Sequence, residues 1–310
     1  MKILVTGGAG FIGSHLLPVL LKQGHEVTVA DNLTTGFQEY VPDGVRTEVL
    51  DVRSEALTEL MQQERFEAVV HLAAQTQVDV SMQEPQLDAD ENVMGTINVL
   101  EASRKSGVKR IVIASSAAVY GDTEESDLPL QESLNPKPMS FYGLSKQIGE
   151  SYLSMYQQAF GLDFVVLRFA NVYGERQGNG GEGGVISIFA KAAAKGRDLN
   201  IYGDGEQTRD FVYAGDIARG ISAALLTGEV NTVYNLATAT EISVNSLITN
   251  LKELSGKQLT VHYLPSREGD IRRSCLSNAK ARQGLGWQPE VDIHEGLRRT
   301  YDYFVRQENV

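Results

Sequence analysis

The chain has a single cysteine, Cys275, in 310 residues. A lone thiol closes no internal disulfide, so a stapled secreted scaffold is not expected and a reducing, cytoplasmic setting is. Long apolar runs are also missing. The stretch from Ile3 to Gly13 is too broken by glycine to serve as a signal-peptide core or a membrane span. Basic residues are scarce: 28 Lys and Arg stand against 40 Asp and Glu, a net charge of −12. That balance argues against nucleic acid or an anionic membrane as the main partner, and an anionic ligand would have to be held by local arginines. No repeat period or low-complexity tract is present. The five histidines (15, 25, 71, 262, 294) lack ligand spacing, so no metal is expected, and neither a nucleophile elbow nor a Walker pattern occurs.

What the chain does have is an alternation of short apolar runs with longer segments of helical spacing. Ile3–Thr6, Val27–Ala30, Val45–Leu50, Ala68–Leu72, Arg110–Ser115 and Phe164–Arg168 read as buried strands. Phe11–Gln23, Ser54–Gln63, Gln86–Ser106 and Tyr142–Phe160 read as helices between them. This order predicts the α/β class, a doubly wound parallel sheet built from βαβ units, with ligands at the carboxyl ends of the strands. After Arg168 the character changes. Six glycines between Gly174 and Gly184 (174, 178, 180, 181, 183, 184) predict a surface loop, either a tolerated insertion or a flap over a ligand. The remainder reads as a smaller lobe of mixed helix and strand.

The first strand runs directly into Gly7-Gly8-Ala9-Gly10-Phe11-Ile12-Gly13 and a helical pattern. Strand, glycine turn and helix in that order form the dinucleotide fingerprint, in which backbone approaches a pyrophosphate and helix amides face it. The second strand ends in Asp31, where a carboxylate can accept both ribose hydroxyls and repel the extra phosphate of NADP; no arginine follows it in Asn32-Leu33-Thr34-Thr35-Gly36. NAD is therefore the expected cofactor. The blander reading of Asp31 is a turn former at a strand end. Asp51 and Val52, at the end of the third strand, are placed to face the adenine or else to begin the next helix.

Tyr142 and Lys146 stand four apart in a helical stretch and so share a face. Ser115-Ser116 end the fifth strand at the carboxyl edge of the sheet. A phenol is a poor base at neutral pH, but a nearby ammonium and an oxidised nicotinamide both favour the phenolate. Tyr142 would then take a proton from a sugar hydroxyl, with Ser116 bonded to the same oxygen and Lys146 gripping the nicotinamide ribose. Tyr-x-x-x-Lys alone would more simply be an ordinary amphipathic helix. The fingerprint and the serine strand end together favour the functional reading.

These motifs, together with His71-Leu72-Ala73-Ala74, Asn92-Val-Met-Gly-Thr96, Ser-Ser-Ala-Ala-Val-Tyr-Gly121 and Tyr-Gly-Leu-Ser-Lys146, resemble the extended short-chain dehydrogenase/reductase superfamily, and within it the UDP-glucose 4-epimerase group. Later motifs extend the resemblance along the chain: Arg168-Phe-Ala-Asn171-Val-Tyr-Gly174, Ile201-Tyr-Gly-Asp-Gly205, Thr208-Arg-Asp-Phe-Val212 and Arg267-Glu-Gly-Asp270. The resemblance implies a Rossmann-like NAD-binding domain over residues 1–170. Residues 171–310 would form mainly a nucleotide-sugar lobe, with part of 210–240 returning to the first domain. It implies catalysis by Ser116, Tyr142 and Lys146. NAD would be held by Gly7, Gly10, Phe11, Ile12, Gly13, Asp31, Asn32, Asp51, Val52, Leu72, Ala73 and Ala74, besides Tyr142 and Lys146. The nucleotide sugar would be held by Asn171, Arg209, Arg267 and Asp270, the two arginines clamping its diphosphate. Thr76 and Glu91 stand where members of the group often have lysine and asparagine.

The resemblance also narrows the reaction. Related 4,6-dehydratases carry an acid pair after Ser-Thr, and the decarboxylases a glutamate at the second place, whereas this chain has Ala117 and Ala118. With no carboxyl group to protonate a leaving hydroxyl, the expected outcome is inversion at C4 of a UDP-hexose through a 4-keto sugar. A UDP-glucuronate 4-epimerase and an NADP-preferring heptose 6-epimerase are the enzymatic alternatives. A non-enzymatic NAD sensor is the alternative of another class, and it would be expected to lack Tyr142 or Lys146. Counting seven past Arg267 puts Ser274 at the gate beside the sugar's C2 substituent, or Cys275 if the register slips by one. Both are small, so N-acetyl sugars are expected to enter. A homodimer through the helices of Gln86–Ser106 and Tyr142–Phe160 is expected as well.

Overall fold

The computed structural model describes residues 1–179, 183–266 and 271–308. The first half of the chain carries β1 (Lys2–Thr6), α1 (Phe11–Lys22), β2 (Glu26–Asp31), β3 (Arg46–Val49), α2 (Glu55–Glu64) and β4 (Ala68–His71). Then come α3 (Val78–Gln83), α4 (Pro85–Asp88), a π-helical turn at Ala89–Met94, α5 (Gly95–Ser106), β5 (Arg110–Ser116), α6 (Phe141–Phe160) and β6 (Asp163–Phe169). The second half continues with β7 (Asn171–Tyr173), α7 (Val185–Ala194), β8 (Leu199–Tyr202), β9 (Thr208–Arg209), β10 (Phe211–Tyr213) and α8 (Ala214–Leu226). It ends with β11 (Thr232–Leu236), β12 (Ile242–Ser243), α9 (Val244–Ser255), β13 (Val261–Leu264), β14 (Arg273–Ser274), α10 (Ala279–Gly284) and α11 (Ile293–Glu308).

Seven parallel strands form the main sheet in the order β11-β6-β5-β4-β1-β2-β3. All six expected strands are in it, and Thr232–Leu236 adds the seventh. The strand residues alternate between two faces as the pleat requires. Ile3, Val5, Val29, Val70, Val112, Val165 and Leu167 pack with Leu16, Leu17 and Leu20 of α1 and with Ile217, Ile221 and Leu225 of α8. Leu4, Val69, Ile111, Ile113 and Val166 point the other way, against Leu57 and Met61 of α2, Val99 and Leu100 of α5, and Leu153 of α6. Both faces are thus covered, which explains why the strands read as continuous apolar runs. Strand order reverses between β1 and β4, the switch point at which doubly wound sheets open a crevice.

One expected helix, Gln86–Ser106, is instead α4, the π-helical turn and α5 in series. The wider turn coincides with side chains that bond along the axis: Asn92 Nδ2 donates to Asp88 Oδ1 at 3.0 Å, and Thr96 Oγ1 donates to the Asn92 carbonyl at 2.6 Å. The second lobe gathers around Phe189 and Ala193 of α7, Leu199 and Ile201 of β8, Ile248 and Leu251 of α9, and Tyr301 of α11. Beside this cluster, β12-β9-β14 and β10-β7 form small sheets. Among the described residues, no helix is long and apolar enough to cross a membrane.

Candidate active site

The glycine turn is shaped by close backbone approach. Gly7 has φ +69°, and a Cβ there would lie 2.5 Å from the Ala73 nitrogen; one on Gly13 would lie 2.3 Å from the Gly8 carbonyl oxygen. Only glycine lets β1, α1 and the Leu72–Ala74 segment meet this closely. Gly10 is the residue before α1, whose start has no capping side chain and no acidic residue in its first turn. Its leading N–H groups, around Phe11, Ile12 and Gly13, therefore face outward with the positive end of the helix, as a pyrophosphate requires.

Asp31 closes the other side of this turn. It is 7% exposed, and its Oδ2 accepts the Ala9 N–H at 3.0 Å while Oδ1 accepts the Leu33 N–H at 2.9 Å. Burial pushes the carboxyl up, while the N–H groups of Leu33 and Ala9 pull it back down. Each oxygen keeps a lone pair for a ribose hydroxyl. Asp51 is more heavily engaged than its sequence position suggested. Arg53 donates to it from Nε at 2.9 Å and from Nη2 at 2.7 Å, and Asn32 Nδ2 lies at 3.2 Å. The Arg53 guanidinium holds this carboxyl well below the usual range. Val52 lies under the start of α5, where a Cβ on Gly95 would meet its Cγ2 at 3.3 Å.

At the carboxyl end of β5, Ser116 Oγ accepts the Ala118 N–H at 3.1 Å and shares a hydrogen bond with the Tyr142 phenol. Ser140 caps α6, its side chain accepting the Gly143 N–H, and so sets Tyr142 in the first turn of the helix, facing the strand end. Lys146, one turn on, donates from Nζ to the Ala114 carbonyl at 3.2 Å, with Nζ 5.7 Å from the Tyr142 ring centre. Burial pushes the Tyr142 phenol up, and the Ser116 bond opposes it. Burial lowers Lys146 to about 8, against the attraction of Asp88 and Glu150.

His71 lies behind Lys146. Thr96 spends its only hydroxyl proton on the Asn92 carbonyl, so the 3.3 Å contact between His71 Nε2 and Thr96 Oγ1 has His71 as donor. Its Nδ1 then accepts from the Thr6 hydroxyl at 2.7 Å. The ring is neutral, held at about 3 by burial and by the charge of Lys146.

The residues expected to hold the sugar nucleotide converge where described. Asn171 follows β6, whose Phe169 is paired with Ser116 in the sheet. The Asp210 backbone joins two of them, its carbonyl accepting the Asn171 N–H and its own N–H donating to the Ser274 carbonyl, both at 2.9 Å. Ser274 is the register partner of Arg209 in the β9–β14 pair. Arg267 and Asp270 lie outside the described residues, as do 180–182 of the glycine-rich loop. The described part of that loop is tied down: Asn179 Nδ2 donates to the hydroxyls of Tyr40 and Tyr303, and Tyr213 donates to the Glu175 carboxylate at 2.8 Å.

Three charged groups of this site escaped the sequence reading. Asp88 accepts from Gln75 and Asn92, both at 3.0 Å. Glu150 and Arg168 form a two-pronged ion pair at 3.0 and 2.7 Å. The spacing 142, 146, 150 along one helix would have revealed Glu150. Asp88 had no such signal, since its link to α6 through Asn92 and Ser145 depends on how α4 packs against that helix. Among the described residues, no three His, Cys, Asp or Glu are grouped to hold a metal.

A strand-glycine turn-helix unit with an uncapped helix start, a buried acid fastened to that turn and a Ser-Tyr-Lys group on one sheet edge define the class: a Rossmann-type nucleotide-dependent enzyme. Residues 3–237 match the model of the NAD dependent epimerase/dehydratase family, and the chain belongs to that family. The structure superposes on a UDP-glucose 4-epimerase of Thermotoga maritima bound to UDP-glucose, with TM-score 0.96, 40% identity, and 99% of this chain and 100% of that one covered. It also resembles a UDP-N-acetylglucosamine 4-epimerase of Methanobrevibacter ruminantium (TM-score 0.93, 33% identity, 99% and 98% covered). A UDP-glucuronic acid 4-epimerase of Bacillus cereus bound to UDP-glucuronic acid and NAD is similar too (TM-score 0.90, 33% identity, 99% and 100% covered). NAD is the cofactor of this chain, as the uncapped α1 terminus and Asp31 fit, and the enzyme is an isomerase of the UDP-glucose 4-epimerase type.

Proposed function

We propose that the chain inverts C4 of a UDP-hexose, interconverting UDP-glucose and UDP-galactose and also the N-acetyl pair. The observation that carries this reading is the strand end. Ser116, Tyr142 and Lys146 converge there, while the next two positions, Ala117 and Ala118, form a short 3₁₀ turn without a carboxyl group. A proton acceptor is present and a leaving-group acid is not, so the sugar is oxidised and reduced without losing water.

Gly7, Gly10, Phe11, Ile12 and Gly13 would cradle the NAD pyrophosphate, and Asp31 and Asn32 the adenosine ribose. Asp51 and Val52 would border the adenine, and Leu72, Ala73 and Ala74 the middle of the cofactor. Bound NAD supplies a reversible acceptor for the hydrogen on C4. Tyr142 removes and returns the proton of the C4 hydroxyl at its phenol oxygen. Ser116 orients that hydroxyl through the bond it shares with Tyr142. Lys146 stabilises the phenolate by charge and would hold the nicotinamide ribose. Arg209 and Arg267 would hold the diphosphate, Asn171 and Asp270 the sugar and its nucleotide, with Ser274 beside C2. In this division of labour residues 1–170 serve NAD, and residues 171–310 serve mainly the sugar nucleotide, part of 210–240 belonging with the first group.

A homodimer is part of the same reading. Leu87 and Met94, in the segment leading into α5, and Tyr152 and Met155 on α6 are exposed, giving two adjacent segments an apolar outer face. Sedimentation at micromolar concentration should give twice the 33.9 kDa chain mass. The cytoplasm suits the one thiol, Cys275, which is buried. Incubating the purified protein with UDP-galactose, without added NAD, should yield UDP-glucose. Absence of UDP-glucose together with turnover of UDP-galacturonate would replace this reading by the glucuronate one.

A further inference from the structure

The face of α6 that carries Tyr142 and Lys146 continues to Glu150, and each of the three is matched to one of three consecutive residues of β5. Tyr142 meets Ser116, Lys146 bonds the Ala114 carbonyl, and Glu150 accepts the Ser115 hydroxyl at 2.6 Å. Helix and strand are therefore locked in register by the site itself. Glu150 is fixed from the far side by Arg168, with side-chain exposures of 11% and 5%. Arg168 in turn stacks on Tyr120, its Cζ 4.8 Å from the ring centre, and the Tyr120 hydroxyl donates to Asn235 Oδ1 at 2.8 Å.

A second carboxylate, on a different element, adds its charge in favour of the Lys146 ammonium. Asp88, at the end of α4, is 1% exposed and receives the Gln75 and Asn92 amides. Asn92 also donates to Ser145 Oγ at 3.2 Å, tying this arm to α6 next to Lys146. The ionisable groups around Lys146 are thus Tyr142 and Glu150 on its own helix, Asp88 on α4 and neutral His71 on β4, with Arg168 of β6 behind Glu150. An ammonium withdrawn from water is costly unless opposite charge is near it. Three hydrogen bonds, from Ser115 and Arg168, fix Glu150 and two, from Gln75 and Asn92, fix Asp88, so neither carboxylate is free to turn away.

We propose that Asp88 and Glu150 are positioning residues of the reaction: they hold Lys146 as an ammonium from two sides and keep it in register with Tyr142 and Ser116. This rests on the assignment of Tyr142 and Lys146 to catalysis. Glu150 also raises its ion-pair partner Arg168, whereas the Asp88 charge also raises the Tyr142 phenol and so disfavours its phenolate. The two carboxylates therefore differ in effect.

The test uses NAD-loaded protein carrying ¹³C-labelled lysine, with the Lys146 Cε signal followed against pH in wild type, Asp88→Asn, Glu150→Gln and Glu150→Asp. Removing either charge takes away an interaction that favours the ammonium. The Lys146 midpoint and the alkaline limb of kcat should move to lower pH by on the order of one pH unit in Asp88→Asn and Glu150→Gln. The acid limb should fall only in Asp88→Asn. Glu150→Asp should bring the midpoint back towards wild type. Glu150→Gln leaves Arg168 without its counter-charge, so if that variant does not fold, Asp88→Asn decides alone. A Lys146 midpoint that stays fixed in a folded variant while kcat drops at every pH would make the carboxylates merely structural and overturn the proposal. Near-normal kcat in Tyr142→Phe would instead overturn the catalytic assignment and leave the Lys146 titration standing.

Discussion

The N–H of Ala9 donates to Asp31 Oδ2 at 3.0 Å, so the acid that ends β2 is fastened to the glycine turn that ends β1. A ribose and a pyrophosphate would thus be recognised by one rigid unit. Asp31→Ala should loosen NAD and narrow its advantage over NADP, because the same carboxylate accepts ribose hydroxyls and repels a 2′-phosphate. Fluorescence titration with both nucleotides measures this. Undiminished preference for NAD would reduce Asp31 to a brace for the turn.

Tyr142→Phe keeps the ring packed against Lys146 and removes only the proton-carrying oxygen. Epimerase kcat should fall by about 10²-fold or more, with NAD retained through gel filtration. An absorbance spectrum of the eluted protein and a coupled assay give the two readouts.

Ser274 is paired with Arg209 across β14 and β9, so enlarging it builds outward from the strand beside the one that carries a proposed diphosphate clamp. Ser274→Tyr should reduce turnover of UDP-N-acetylglucosamine by more than about tenfold and spare UDP-glucose. Wild-type protein that turns over UDP-glucose and leaves the N-acetyl sugar untouched would refute the wide pocket.

Stability should fall as pH drops from about 6.5 towards 4. His15 Nε2 donates to the Glu175 carbonyl 3.1 Å away, and burial with the nearby Arg176 charge lowers the ring to about 4. His71 is held at about 3 by burial and Lys146. Both are neutral in the folded chain, while the unfolded chain protonates them near 6.5; it therefore binds more protons in this window, and acid favours it. His15→Gln should flatten the dependence of the urea midpoint on pH between these limits. An unchanged slope would exclude His15 as a source of the acid sensitivity.

The sheet and the cradle were legible because their signals are local. Ile3–Thr6 followed by Gly7–Gly13 needs only chain order to become a strand, a turn and a helix, and Tyr142 with Lys146 needs only a helical period. What stayed hidden depends on packing between distant segments. The π-helical turn at Ala89–Met94 is stabilised by Asn92, whose side chain also reaches Gln75 in the loop after β4 and Ser145 on α6. Glu150 depends on β6, which places Arg168 beside it. Arg53 was overlooked because its neighbour Asp51 read equally well as a free ligand or a helix start.

The seventh strand has a practical consequence for anyone cutting this chain. Thr232–Leu236 joins the sheet only after the polypeptide has passed through β7 to β10 and α8, and it covers the edge of β6. A gene truncated near codon 170 would produce Asp163–Phe169 as a bare, apolar parallel edge, a template for fibrillar self-association. The same fragment would lose Asn235, the partner of both the Tyr120 hydroxyl and the Leu130 carbonyl. Lobe-swapped chimeras of this scaffold therefore need two crossover points, so that strand β11 travels with the sheet it completes.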